Sequence, residues 1–361
     1  MKFDSLKYAA VMAALEGAVT AAPTANKGRY SVKTFKGPKP GLVSRVTGSD
    51  SSGASTNFMN MTFGEQTFPM EIDTGSSALW LFNTNTPSDE QKGHPLYDAS
   101  ASSSFKLQDG YKFEIAYADG TGMTGPVGTE DVTMAGITIQ GQYIGVPDDV
   151  RTNSNPIQGG CLGMAPNEFT MSPTGQKTWH QNAEPILDEP VWTVDFYSDQ
   201  DGTMDFGYID QNKYKGDIAY APCDFSSGAW SFEITGWNVP DDSVQSGSAK
   251  SIADTGTPST SLSQDITDYY YGKIDGASRD SSDSSSYIVP CDATLPDLVL
   301  SVEGGTVTIP GSQMNAGTVD GGCRGAVSIA SDGGNLGSAM FNSNFVVYSQ
   351  TNTQIGFASK A

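Results

Sequence analysis

One short motif occurs twice in this 361-residue chain, and that repetition constrains the fold more than any other feature. Met70-Glu71-Ile72-Asp73-Thr74-Gly75-Ser76-Ser77 returns as Ser251-Ile252-Ala253-Asp254-Thr255-Gly256-Thr257-Pro258, 181 residues further on. Each aspartate follows apolar, strand-like residues and precedes Thr-Gly and a hydroxyl residue. A weaker echo follows each copy. Cys161-Leu162-Gly163-Met164 comes about 90 residues after Asp73, and Asn335-Leu336-Gly337-Ser338 about 80 residues after Asp254. A single Asp-Thr-Gly is ordinarily a turn, since Asp accepts backbone N–H bonds and Gly takes positive φ. Two copies in matching contexts predict a duplicated molecule with one Asp on a sharp turn from each half, paired at a pseudo-twofold axis.

The chemistry of such a pair follows from its charge. Two facing carboxylates cannot both ionise readily, because each raises the other's pKa, so they share a proton. One then acts as general base on a water while the other donates a proton to a carbonyl oxygen. Thr74 and Thr255 are placed to cross-brace the two loops through their hydroxyls. Ser76 and Thr257, three residues after each Asp, are placed to hold the outer carboxylate oxygens.

The rest of the chain reads as mostly β. It carries 41 Gly and 19 Pro, which punctuate many short strand candidates. From Asn57 the apolar residues Phe58, Met61, Phe63, Phe68, Met70 and Ile72 are spaced as strands, broken by a hairpin-like Gly64-Glu65-Gln66. Further strand candidates include Leu79–Phe82, Tyr111–Tyr117, Ile137–Val146, Val191–Phe196, Ser231–Trp237, Leu298–Val302 and Phe345–Tyr348. The best helical run is Ser263–Gly272.

These residues resemble the pepsin-like aspartic proteases, most closely the secreted fungal members of the endothiapepsin and penicillopepsin type. The resemblance covers about residues 57–361. Asp73-Thr74-Gly75-Ser76-Ser77-Ala78-Leu79-Trp80 matches the first active-site motif and Asp254-Thr255-Gly256-Thr257 the second. Ile115-Ala116-Tyr117-Ala118-Asp119-Gly120-Thr121-Gly122 resembles the flap hairpin, Tyr97–Ser103 the Ser-rich loop before it, and Tyr287–Cys291 and Ile355–Ala358 parts of the C-terminal lobe. The resemblance implies a bilobal fold of two pseudo-symmetric β-rich lobes with a cleft for an extended peptide. It implies Asp73 and Asp254 as the water-binding pair, with no metal or organic cofactor. Gly75 and Gly256 would offer backbone groups to the substrate. Tyr117 would fold over the substrate and bond to Trp80, and Asp119 would favour Lys on the N-terminal side of the cut. Polypeptide substrates, pepstatin-type inhibitors and a monomeric enzyme are the expected partners and state.

Several positions depart from the family pattern. Pro258 stands where a free N–H is usual, and proline has none. Ala118 replaces a flap glycine, Ala78 an Asn or Asp, and Ser338 an Asp. These departures leave an alternative in view: a catalytically weakened pepsin-like scaffold serving as a protein-binding or inhibitor module. A two-carboxylate glycosidase is disfavoured by the duplicated motif, and a serine hydrolase by the lack of any G-x-S-x-G.

The charge distribution is uneven. Residues 1–45 hold 8 of the 20 Lys+Arg with only Asp4 and Glu16, whereas residues 46–361 carry 12 basic and 39 acidic residues. The acidic body argues against nucleic acid or an anionic membrane as partner, and no apolar run reaches the roughly 18 residues of a membrane span. The expected organisation is a signal peptide at 1–22, a short basic pro-segment or linker at 23–56, an N-terminal lobe at 57–222 and a C-terminal lobe at 223–361. The basic segment would cover the acidic body as a zymogen and release in acid. The expected location is extracellular, with an acidic vacuole as alternative. Residues 23–56 lack periodicity and are expected outside the core. In an exported chain Cys291 and Cys323, which enclose a turn-rich stretch, are expected to form a disulfide contributing on the order of 3–4 kcal/mol. Cys161 and Cys223 are either a second bond or buried thiols. Asn60-Met61-Thr62 is a glycosylation sequon on an expected strand.

Overall fold

The alternation after Asn57 becomes a hairpin: strands Asn57–Phe63 and Gln66–Asp73 pair antiparallel around Gly64, which takes a φ of 56°. Met59, Met61 and Phe63 are buried, while Asn60 of the sequon is exposed on the same strand. The structure is a computed structural model that describes residues 22–23, 27–36, 57–117, 120–151, 158–168, 170–198, 200–331 and 333–361. The expected signal segment, apart from Ala22, and residues 24–26 and 37–56 of the expected pro-segment therefore lie outside the described residues.

A large sheet runs through the molecule and a seven-stranded sheet lies in its second half. The same unit recurs in both. Strand Gly160–Gly163 lies parallel to Gln66–Asp73 and antiparallel to Leu79–Leu81. Strand Gly334–Leu336 lies parallel to Gln245–Ala253 and antiparallel to Thr260–Leu262. Each Asp-Thr-Gly therefore leaves the end of a strand held on its neighbour's backbone. This is the expected pseudo-twofold arrangement, and the mostly β fold is pepsin-like.

The expectation that residues 23–56 stay outside the core fails for one stretch. Tyr30–Lys36 is a strand of the large sheet, paired with Gly202–Phe206 from Tyr30↔Phe206 to Gly202↔Thr34 and with Phe58 at Phe35. Thr34 and Phe35 are buried. Its own sequence offers only Tyr30, Val32 and Phe35 as apolar residues, too few and too unevenly spaced to mark a strand. What selects the strand is the pair of flanking strands, whose ladders satisfy its N–H and C=O groups.

The floor of the large sheet reaches the duplicated motifs. Trp192 stacks on Tyr348 at 3.9 Å between ring centres, and Trp230 meets both rings edge-on. The Trp230 indole N–H donates to the Met164 carbonyl at 2.9 Å, tying the second half to the first. Helix Gln264–Tyr271 forms where expected, burying Ile266, Tyr270 and Tyr271. Cys291 and Cys323 form the expected disulfide, closing a separation of 32 residues with Cα atoms 5.0 Å apart. Cys161 and Cys223 are free thiols, which decides the open alternative against a second bond. Among the described residues no helix is long and apolar enough to cross a membrane.

Candidate active site

The two Asp-Thr-Gly turns meet head to head. Thr74 Oγ1 donates to the Ala253 carbonyl at 2.7 Å and accepts from the Thr255 N–H at 3.0 Å. Thr255 Oγ1 donates to the Ile72 carbonyl at 2.7 Å and accepts from the Thr74 N–H at 3.1 Å. Both hydroxyls are buried, so each carries a full donor and acceptor role that water cannot supply. This is the expected cross-brace, and it ties the two aspartate-bearing turns to each other. The Tyr348 hydroxyl, 3.4 Å from the Ala253 carbonyl, packs beneath the brace.

Glycine at 75 and 256 is dictated by the opposing carboxyl group. A Cβ on Gly75 would stand 2.5 Å from Cγ of Asp254, and one on Gly256 would stand 2.6 Å from Oδ1 of Asp73. Each glycine N–H is bonded to its own motif's Asp Oδ1, at 2.8 Å from Gly75 and 2.9 Å from Gly256. Those N–H groups are therefore engaged in shaping the pair.

The outer oxygens are held as the sequence suggested. The Ser76 hydroxyl donates to Asp73 Oδ2, and the Thr257 hydroxyl donates to Asp254 Oδ2 at 2.5 Å. Both aspartates are buried. Burial first, and then the charge of Asp254, push the Asp73 carboxyl well above the ordinary carboxylate range. A group so raised retains its proton in acid and loses it as pH rises, which is the behaviour a proton-sharing pair requires.

Two neighbours of the pair were visible in the sequence only as an echo. Cys161 Sγ lies 3.8 Å from Asp73 Oδ2. Asn335 Nδ2 donates to Asp254 Oδ2 and to Thr257 Oγ1, each at 2.9 Å. The Leu-Gly repeat marked both positions, but strand register is what aims their side chains. Glu168 was not foreseen: it accepts from Ser77 Oγ at 3.4 Å and Thr170 Oγ1 at 2.6 Å, and burial raises its pKa. No local motif signals it.

Tyr117 sits at the tip of the hairpin formed by Lys106–Ala116 and Gly122–Met134, where its N–H donates to the Thr121 carbonyl at 2.8 Å. Trp80 Nε1 donates to the Tyr117 hydroxyl at 2.9 Å. The indole belongs to a buried apolar cluster with Phe82, Phe113, Ile115 and Cys161, which anchors this contact on the core. Asp119 and Ala118 lie outside the described residues. Pro258 and Ser338 follow the second motif, and Ser338 N–H donates to the Thr257 carbonyl at 3.1 Å. Among the described residues no group of three or more His, Cys, Asp or Glu side chains could hold a metal ion.

Comparisons with known proteins converge on this geometry. The family described as eukaryotic aspartyl protease matches residues 59–360. Penicillopepsin-1 of Penicillium janthinellum is 35% identical over 309 residues, covering 83% of this chain and 94% of that protein. Endothiapepsin of Cryphonectria parasitica is 36% identical over 305 residues, covering 82% and 72%. The aspartic protease pepA of Arthroderma gypseum is 34% identical over 321 residues, covering 83% and 79%. Among solved structures, the aspartic proteinase from Irpex lacteus shares the fold with a TM-score of 0.72 at 20% identity, covering 92% of this chain and 98% of that one.

Proposed function

We infer the mechanism from a premise now in hand: this chain belongs to the eukaryotic aspartyl protease family. It is an aspartic endopeptidase that hydrolyses peptide bonds in polypeptides. The catalytic assignment rests on one observation, the cross-braced, buried approach of Asp73 and Asp254 with each outer oxygen held by a hydroxyl.

In this reading the pair holds one proton and one water. The ionised carboxylate takes a proton from the water as its oxygen bonds to the scissile carbonyl carbon. The protonated partner gives its proton to the carbonyl oxygen. Collapse of the tetrahedral species breaks the C–N bond. One carboxyl group delivers a proton to the departing nitrogen, and the other recovers a proton from the hydroxyl of the tetrahedral carbon. The Tyr117 hydroxyl, pinned by Trp80, positions the hairpin over the peptide. Asp119 selects Lys on the N-terminal side of the cut. Pepstatin-type compounds occupy the same cleft, and the enzyme works as a monomer.

The lobes are taken as 57–222 and 223–361. The chain is exported by its first 22 residues to an extracellular, acidic setting, with the basic stretch before residue 57 restraining the acidic body until acid releases it. Tyr30–Lys36, held within the sheet, supports a role for that stretch in the uncleaved form. The weakened-scaffold alternative is not favoured: the matched family is that of aspartyl proteases, and the cross-brace and both outer-oxygen bonds support retained catalysis.

The test is proteolysis of acid-denatured haemoglobin at about pH 3 to 5, with Asp73→Asn, Asp254→Asn and pepstatin as controls. Activity that each control abolishes is expected. Cleavage that survives either substitution would refute the assignment.

A further inference from the structure

We propose that His180 is a positioning residue that holds the Asp73 turn from behind as a neutral imidazole and releases that hold in strong acid. This rests on the reading of Asp73 as half of the catalytic pair, but only for its effect on kinetics.

Two backbone bonds tie the Asp73 turn to the residues that follow Gly163. The Met164 N–H donates to the Asp73 carbonyl at 2.7 Å, and the Ala165 N–H donates to the Ser76 carbonyl at 2.9 Å. In the second half the equivalent residues enter helix Ser338–Ser343, where the Met340 N–H takes up the Gly337 carbonyl at 3.0 Å. The first half makes no helix at this point, and Pro166 has no N–H to offer one. The carbonyls of Met164, Ala165 and Pro166 are met instead by side chains. Trp230 Nε1 donates to Met164 at 2.9 Å, and His180 Nε2 lies 2.9 Å from the Ala165 oxygen. Gln181 Nε2 and Gln350 Nε2 donate to Pro166 at 2.8 and 2.7 Å. A buried carbonyl left without a partner is costly, so these donors decide where the segment sits, and through it the Asp73 turn.

His180 is the one member of this clasp that titrates. Its Nε2 faces a carbonyl and carries the hydrogen of the neutral ring, so acid adds the second proton at Nδ1. The residue is 3% exposed and packs beside Trp192 and Trp230, with ring centres 5.9 and 6.2 Å away. The charged groups on the surrounding elements are engaged elsewhere: Glu184 with the Thr351 hydroxyl, Asp195 with Lys360, Asp224 with Lys250 and Glu168 with Thr170. Tyr348, against both indoles, is held neutral by burial. Burial therefore opposes the cation more than the Ala165 carbonyl favours it, and lowers the imidazole from 6.5 to about 4. Below that value a protonated ring is better placed in water, and reaching water means leaving the Ala165 carbonyl. The unfolded chain takes up this proton near 6.5. The stability that the neutral ring contributes is thus fully present above 6.5 and is lost as pH falls toward about 4.

Two variants that do not titrate test this. His180→Gln keeps a donor for Ala165, whereas His180→Phe keeps aromatic packing and removes the donor. Urea unfolding is measured at about pH 7.5 and about pH 3.5, in the Asp73→Asn background so that no sample digests itself. Relative to either variant, the protein with His180 should lose on the order of 100-fold in its folding equilibrium between those two conditions. A difference that stays the same at both would overturn the proposal, because a ring of purely structural value counts equally at each. In the active enzyme at about pH 5.5, His180→Phe should lower kcat/KM about tenfold and His180→Gln should restore it. The ratio of wild-type to His180→Gln kcat/KM should decline as pH is lowered through about 4. A flat ratio, or a His180→Phe enzyme as active as wild type, would count against the hold on the Asp73 turn. If His180→Phe does not fold, His180→Gln alone carries the unfolding and pH comparisons. The two readings fail differently. Activity surviving in Asp73→Asn sinks the catalytic pair, whereas a pH-independent difference in unfolding sinks only the role of His180.

Discussion

The half-site at Asp73 and the half-site at Asp254 stand on the same parallel strand pair, Gln66–Asp73 with Gly160–Gly163 and Gln245–Ala253 with Gly334–Leu336. Their backbones do equivalent work: a threonine braces the opposite loop, a glycine makes room for the opposite carboxyl, and a hydroxyl residue holds the outer oxygen. Their surroundings diverge. The first half carries Glu71, Cys161 and the Trp80–Tyr117 contact. The second carries Ile252 and Asn335, and the only disulfide among the described residues lies elsewhere in the same half of the chain. The duplicated elements place two like charges together, and the unduplicated side chains give the two carboxyls different neighbours.

The strongest way to break the symmetry is to remove one carboxyl. Asp73→Asn and Asp254→Asn should each lower kcat by about 10³-fold or more while the fold persists, measured by steady-state kinetics beside circular dichroism. Similar losses from both would show that the pair acts as one unit. The pH dependence has a defined sign. Because the Asp73 pKa is raised, its proton is present in acid and lost as pH climbs through that raised value. Wild-type activity should therefore fall toward neutral pH, and a maximum above pH 7 would contradict the shared proton.

Next in size is a one-sided change. Replacing Cys291 and Cys323 by Ala should reduce unfolding free energy by about 3 kcal/mol in urea titrations, with kcat nearly intact at low temperature. Loss of kcat in step with stability would mean that this loop also shapes the dyad.

Glycine substitutions then test equivalence. Gly75→Ala and Gly256→Ala should each cost about 100-fold in kcat/KM, since the added Cβ meets the opposite carboxyl at 2.5 and 2.6 Å and displaces it. A tolerated substitution at one site alone would show that the two turns are not equally constrained. The smallest effect is expected from Trp80→Phe, which removes the bond to the Tyr117 hydroxyl together with part of the indole's packing on Phe82. Peptide kinetics should show about a tenfold fall in kcat/KM, with no counterpart in the second half.

Much of this is legible in the sequence. The repeated Asp-Thr-Gly predicted the pairing, and the spacing of Thr74, Thr255, Ser76 and Thr257 predicted the braces and outer-oxygen bonds, because a sharp turn fixes which nearby side chain can reach which oxygen. Alternating apolar residues marked the hairpin at Gly64, and the capped run after Ser263 marked the helix. Other features had no local signature. Tyr30–Lys36 is a strand because two flanking strands take up its backbone groups, which three unevenly spaced apolar residues do not announce. Glu168 reaches Ser77 only through the fold.

The amino-acid sequence by itself determined the duplication, the mostly β class and the identity of the two aspartates, since each depends on residues adjacent in the chain. Tertiary structure alone decided that Cys161 faces Asp73 while Asn335 faces Asp254. The Leu-Gly echo aligned those two positions, but which side chain touches which oxygen is set by the register of parallel strands about 80 to 90 residues apart in sequence. A shift of one residue would turn both side chains to the opposite face of the sheet.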